Sequence, residues 1–174
     1  MADIRYPAPL MPGSRIEVPA PSMGVPDELQ PRLQEARAAL VAQDYDLHLR
    51  EHVSRGGLVP ASAAERAADL QAAFVSRPGA VLPPWGGELA IELVDRLDWP
   101  AIAEAGSWFV GWSDISTLLL PLTLTTGLAT MHGANLMDEP WELPTEFWRW
   151  TQVAALHEGE SFSQEAAPFR RSRP

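Results

Sequence analysis

A chain of 174 residues, 46% of them hydrophobic, is long enough for one compact domain with its own core and too short for two of ordinary size. Thirteen Arg, no Lys and 23 acidic residues leave a formal net charge of -10, which repels nucleic acid phosphates and anionic lipid head groups and argues against both as partners. With no cysteine there is no disulfide, no thiolate metal site and no thiol nucleophile, so a nucleophile here is oxygen or nitrogen.

The N-terminal stretch "MADIRYPAPLMPGSR" has no basic region followed by an apolar run, so it does not read as a secretory signal, and the expected compartment is the cytoplasm. "RIEVP" (15–19) is a short strand pattern that ends at "APS" (20–22). Asp27 then introduces a helix whose apolar residues Leu29, Leu33, Ala36 and Leu40 recur at helical spacing. "YDLHL" (45–49) alternates like a second strand, and the polar loop "REHVSRGGLVP" leads to a capping Ser62 and a second helix over residues 63–75. "AVLPP" (80–84) is a third strand, and after "WGG" the segment "ELAIELVDRL" (88–97) sets Leu89, Leu93 and Leu97 on one helical stripe. "WFVGW" (108–112) is the fourth strand, with another helix after Ser113.

The most apolar stretch, residues 115–131, is interrupted by Pro121 and Gly127, short of the uninterrupted run of about 20 residues that a membrane span needs, so it predicts a buried helix. "MHGAN" (131–135) places His132 after a fifth strand. Internal repeats are absent, and the only biased segment is the tail "APFRRSRP".

Strands of four to six residues alternating with helices imply right-handed crossovers, hence an α/β fold: a parallel sheet with helices on both faces. Ligands of such sheets sit beyond the carboxyl ends of the strands. The loops "APS", "PPWGG" and "GWSD" all fall on that rim.

Within "GWSD", Ser113 sits where a strand turns into a helix. A serine hydroxyl that attacks an acyl group needs a fixed exposed turn, a base, and donors for the oxyanion. The turn supplies the first, and the N–H of Asp114 at the head of the helix is a candidate donor, aided by the helix dipole. Gly86 and Gly87 could offer a second N–H, or could be a plain turn. The second glycine of the Gly-x-Ser-x-Gly elbow is missing, and Ser and Asp are also ordinary helix caps, so the spacing leaves nucleophile and cap both open. Of the four histidines, His48 and His52 flank a strand end, His157 lies near the tail, and only His132 falls on the rim; none is assigned as base. No His/Glu spacing reads as a metal site, no glycine pattern reads as a phosphate cradle, and no cofactor is expected.

Five segments, "APS", "ERAADLQAAF", "PPWGGELAIELVDRLD", "FVGWSDISTLLLPL" and "MHGANLMD", come in the order and spacing of the serine LD-carboxypeptidases, the family that also contains the microcin-immunity hydrolases. The resemblance covers residues 5 to about 165, and its most specific element is Gly-x-Ser-Asp-Ile-Ser/Thr about 25 residues after a Gly-Gly loop. It implies a flavodoxin-like (class I glutamine-amidotransferase-like) domain in which Ser113 is the nucleophile and the Asp114 N–H with that of Gly86 or Gly87 forms the oxyanion hole. Neither metal nor cofactor is implied. Family members look roughly twice this long, with a C-terminal domain that carries the Glu and His of the triad. The expected layout is therefore a nucleophile-bearing domain over residues 1–160 and a tail over residues 161–174, with the second domain absent here and supplied in cis or trans. Where the family often has Gly-Gly-Tyr-Gly, this chain has Gly86, Gly87, Glu88 and Leu89, which bears on substrate preference.

The activity implied is cleavage of an amide next to a terminal carboxylate, in a peptidoglycan peptide or a peptide–nucleotide antibiotic, through an acyl-enzyme. The alternatives are a catalytically incomplete binding or assembly module and an unrelated α/β-hydrolase esterase. Three tryptophans within residues 141–150 are hard to bury in one small domain and predict a homo-oligomer formed through that region.

Overall fold

The computed structural model describes residues 3–55, 59–138, 150–161 and 163. The chain alternates strand and helix as expected: β1 (Arg15–Val18), α1 (Gln30–Val41), β2 (Asp46–Leu49), α2 (Ala63–Val75), β3 (Ala80–Val81), α3 (Trp99–Ala105), β4 (Trp108–Gly111), α4 (Ser116–Thr126), β5 (Met131–His132) and α5 (Trp150–Ala154). The strands form one sheet in the order β2-β1-β3-β4-β5. Every neighbouring pair is parallel, with Ile16 opposite Leu47 on one side and Ala80 on the other. This is the flavodoxin-like order, whose switch point lies between β1 and β3.

Side-chain alternation along the strands divides the core in two. Ile16, Val18, Ala80, Leu82, Trp108 and Val110 pack with Leu33, Ala36 and Leu40 of α1 and with Trp150 and Ala154 of α5. Val81 and Phe109 point the other way, onto α2, α3 and α4. There the Phe74 and Phe109 rings meet edge to face with centroids 5.3 Å apart. Burial on both faces is why β3 and β4 read as apolar runs, whereas the edge strand β2 alternates.

Several expectations need correction. Ser62 does cap α2, in a full capping box with Glu65. The segment expected to be a helix over residues 88–97 is instead a 3₁₀ helix, Ala90–Arg96, followed by α3, which the apolar stripe did not reveal. Asp98 restarts the chain as a helix by accepting the Ala101 N–H at 3.1 Å, with Pro100 in the first turn. The helix over residues 115–131 is shorter and half-buried, because α4 packs Leu118, Leu119 and Leu122 inward while Leu120 and Leu124 are 62% and 73% exposed. His132 lies inside β5 rather than after it. Trp150 is buried in the core and Trp141 and Trp148 lie outside the described residues, so the aromatic oligomer surface has no support from the described part of that region. No described helix is long and apolar enough to cross a membrane.

Candidate active site

The carboxyl end of β4 carries a sharp turn built on a non-glycine residue at positive φ. After Gly111 the backbone runs through Trp112 at φ -146 and then reverses at Ser113, whose φ is +57. That left-handed conformation costs an L-residue about 1–2 kcal/mol and aims the side chain out of the turn. Ser113 is exposed, and among the described residues its hydroxyl has no hydrogen-bond partner. Neither Ser113 nor Asp114 caps the turn that follows: no side-chain cap is formed at the head of Ser113–Ile115 or of α4.

The turn is held from both sides. A Cβ on Gly111 would lie 2.6 Å from Ile115 Cγ2 and 2.9 Å from Asn135 Oδ1, so only glycine lets the strand end close onto the helix behind it. Asn135, fully buried, accepts the Trp112 N–H at 3.3 Å and donates to Asp138 Oδ2 at 2.8 Å. The Trp112 indole donates to that same oxygen at 2.8 Å. On the other side the Asp114 carboxylate reaches across the rim, where Oδ2 accepts the Ser22 hydroxyl at 2.6 Å and the Ala90 N–H at 2.9 Å. The Ser22 oxygen in turn accepts the Leu89 N–H at 3.2 Å.

These bonds bring the loop after β3 against the serine. A Cβ built on Gly86 would stand 3.1 Å from Ser113 Cβ, 3.2 Å from its Oγ and 3.4 Å from the Asp114 nitrogen. Gly87, at φ +142, occupies a conformation open to glycine alone, and a Cβ there would overlap Ser22 Oγ at 2.3 Å. Ser113, Asp114, Gly86 and Gly87 thus converge, and a cleft of about 280 Å³ opens over Ser113 between Trp85 and Trp112, with Met23 and Asp138 on its wall. The Trp85 indole is pinned by the carbonyls of Met23 and Gly24 at 3.2 and 3.1 Å.

The histidines do not join them. His48 bonds Glu17 at 2.9 Å, His52 is buried with its Nδ1 unpartnered, and His132 is exposed on β5 opposite Gly111. No described histidine or carboxylate bonds the Ser113 hydroxyl. No group of three potential metal-ligating side chains occurs among the described residues.

Sequence reading missed Ser22 and Asn135, which act through contacts 92 and 23 residues away. It also missed Arg66, for which there was a signal: an arginine on the stripe of α2 otherwise formed by Ala67, Leu70, Ala73 and Phe74.

A flavodoxin-like parallel sheet whose β4 ends in a strained, exposed serine beneath a glycine loop defines a class of α/β proteins built around an elbow residue. The chain belongs to a particular family of that class: the LD-carboxypeptidase N-terminal domain matches residues 16–133. A Streptomyces coelicolor protein named as a carboxypeptidase is 40% identical over 139 residues, spanning 76% of this chain and 44% of that protein. The solved structure of the microcin C7 self-immunity protein MccF in complex with aspartyl sulfamoyl adenosine superimposes with a TM-score of 0.74 at 22% identity, over 86% of this chain and 44% of MccF. A muramoyltetrapeptide carboxypeptidase from Oxalobacter formigenes gives 0.64 at 24% identity, over 80% and 46%. At such identities the two structures establish the fold. The chain spans less than half the length of each of these three proteins.

Proposed function

We propose that residues 1–160 form the nucleophile-bearing domain of a serine-type carboxypeptidase of the cytoplasm, and that residues 161–174 are a tail beyond it. The substrate is a small peptide-like molecule cut at an amide next to a terminal carboxylate, either a peptidoglycan peptide or a peptide–nucleotide antibiotic. Family membership supports the reaction class, and the ligand in the MccF structure and the name of the Oxalobacter enzyme support the two substrate types.

The observation that carries this reading is Ser113 at φ +57 with Gly86 packed against it. Ser113 Oγ attacks the amide carbon, forming the C–O bond of a tetrahedral intermediate. Its oxyanion is held by the Asp114 N–H and by the N–H of Gly86 or Gly87. A base takes the hydroxyl proton and passes it to the leaving amine as the C–N bond breaks, and water then hydrolyses the acyl-enzyme. The Glu and His of that relay come from the family's C-terminal domain, in cis or in trans.

The test is to supply the C-terminal half of the Streptomyces relative in trans and follow release of the terminal residue from such peptides. Hydrolysis in the mixture, absence of hydrolysis with either half alone, and its loss in Ser113→Ala are expected. A mixture containing Ser113→Ala that is as active as wild type would sink the reading. One observation favours a second reading, that of a binding module without turnover: no described residue bonds the Ser113 hydroxyl. Saturable ligand binding by the 174-residue chain with no hydrolysis in the mixture would favour it.

A further inference from the structure

Arg66 is 1% exposed, on the core-facing stripe of a helix whose other buried residues there are apolar. A guanidinium cannot shed its charge, so burying it is expensive unless its donors are matched. Four polar contacts surround it. Nε donates to the Ala61 carbonyl at 3.2 Å, one terminal nitrogen donates to the carbonyls of Pro21 at 2.6 Å and Leu89 at 3.1 Å, and the other pairs with Glu92. Glu92 is 48% exposed, so the one full counter-charge lies at the surface while the other contacts are main-chain oxygens, that of Pro21 buried and those of Ala61 and Leu89 partly so.

Those oxygens belong to the rim. Pro21 immediately precedes Ser22, whose hydroxyl joins Leu89 to Asp114. Leu89 is gripped at both ends of the residue, its N–H by Ser22 and its carbonyl by Arg66. The loop after β1 and the loop after β3 are therefore bonded to one rigid fork on α2 and, through Asp114, to the residue after Ser113. Gly86 and Gly87 hang from this frame with no side chain of their own to hold them. An apolar residue at position 66 would suit the α2 stripe and leave the Pro21 and Leu89 carbonyls without that donor.

We infer that Arg66 is a positioning residue: acting through the Pro21 and Leu89 carbonyls, it fixes the Gly86 and Gly87 amides against Ser113. The inference rests on the reading of Ser113 given above, and its primary test does not. Hydrogen–deuterium exchange of the 174-residue chain is measured for wild type, Arg66→Met, Arg66→Lys and Glu92→Gln. In Arg66→Met the bonded amides of Leu89 and Ala90 should exchange at least tenfold faster than the variant's loss of global stability accounts for, while those of β4 and α4 follow that loss alone. Lysine, a point donor without the planar fork, should restore the rates only in part. Glu92→Gln, which keeps an acceptor but removes the surface counter-charge, should give a smaller effect of the same pattern.

Exchange at Leu89 and Ala90 that speeds up no more than in β4 and α4 would mean that Arg66 is only a structural residue and would overturn the inference, as would unchanged exchange at those two amides. Should Arg66→Met not fold, Arg66→Lys and Glu92→Gln carry the same comparison. A second readout is kinetic, with the C-terminal half supplied: kcat should fall at least tenfold in Arg66→Lys with KM within twofold of wild type. Local loosening with kcat unchanged would reject positioning. If wild type itself hydrolyses nothing, the reading of Ser113 fails while the exchange pattern still decides the clamp.

Discussion

Among the described residues Arg66 and Glu17 are almost completely withdrawn from water, and they are used differently. Arg66 meets mostly main-chain oxygens of two loops. Glu17, 0% exposed on β1, meets mainly basic side chains: Arg15 at 2.8 Å, His48 at 2.9 Å and Arg50 at 3.2 Å, with Arg50 passing on to Asp69 of α2 at 2.6 Å. The Glu17 cluster ties β1, β2 and α2 together, and two of its members could find water if released, since Arg15 and His48 are 44% and 51% exposed. The oxygens that Arg66 serves are main-chain groups held in place by the fold, one on buried Pro21 and two on half-buried Ala61 and Leu89. A buried charge answered by mobile opposite charges mainly stabilises, whereas one answered by fixed backbone transmits position.

That contrast is broken first by Arg66→Met. Leaving the carbonyls of Pro21, Leu89 and Ala61 without their donor should lower unfolding stability by about 2–4 kcal/mol, read as a shift in urea midpoint. Next is Gly87→Ala. At φ +142, with Ser22 Oγ 2.3 Å from the new Cβ, the strain should cost about 2–3 kcal/mol in the same urea titration. With the C-terminal half supplied, displacement of an oxyanion donor should cut kcat by about a hundredfold or more. A Gly87→Ala enzyme of wild-type kcat would show that the loop is not part of the site.

The alternation of strands and helices was legible because a parallel sheet buried on both faces demands apolar central strands, such as β3 and β4, while the edge strand β2 showed itself by alternation. Ser62 and Glu65 marked the start of α2 by chemistry local to four residues. The 3₁₀ helix Ala90–Arg96 was misread because its leucines keep helical spacing, while what shapes the segment is distant: the Ala90 N–H is held by Asp114. The same distance hides most of the rim. Ser113 and the two glycines could be picked out by residue type, yet nothing near Ser22 in the chain indicates that it bonds a carboxylate 92 residues on. Arg66 is intermediate, since a charge on an apolar stripe signals a buried partner without naming it.

The smallest expected effect belongs to Glu17 and sharpens the comparison through pH. Burial alone would raise its pKa, but hydrogen bonds from His48 and Arg50, with the charges of His48 and Arg15, outweigh it and hold the carboxyl below its ordinary value of 4.5. A carboxyl with a depressed folded-state pKa binds a proton more readily when unfolded. Its contribution is therefore complete above about pH 4.5 and is lost as the pH falls from there through the folded value. Glu17→Gln keeps the shape and removes the charge, and since Arg50 retains Asp69 the loss at pH 7 should be only about 1–2 kcal/mol. Urea midpoints taken every half unit from pH 7 to pH 3 should therefore converge for wild type and Glu17→Gln as the medium turns acid, the gap closing below about pH 4.5. Gly87→Ala offers the control, because it adds and removes no ionisable group and its deficit should run parallel to wild type throughout. A Glu17→Gln gap that stayed constant down to pH 3 would mean that the cluster contributes through packing alone, and the distinction drawn between the two buried charges would then fail on the Glu17 side.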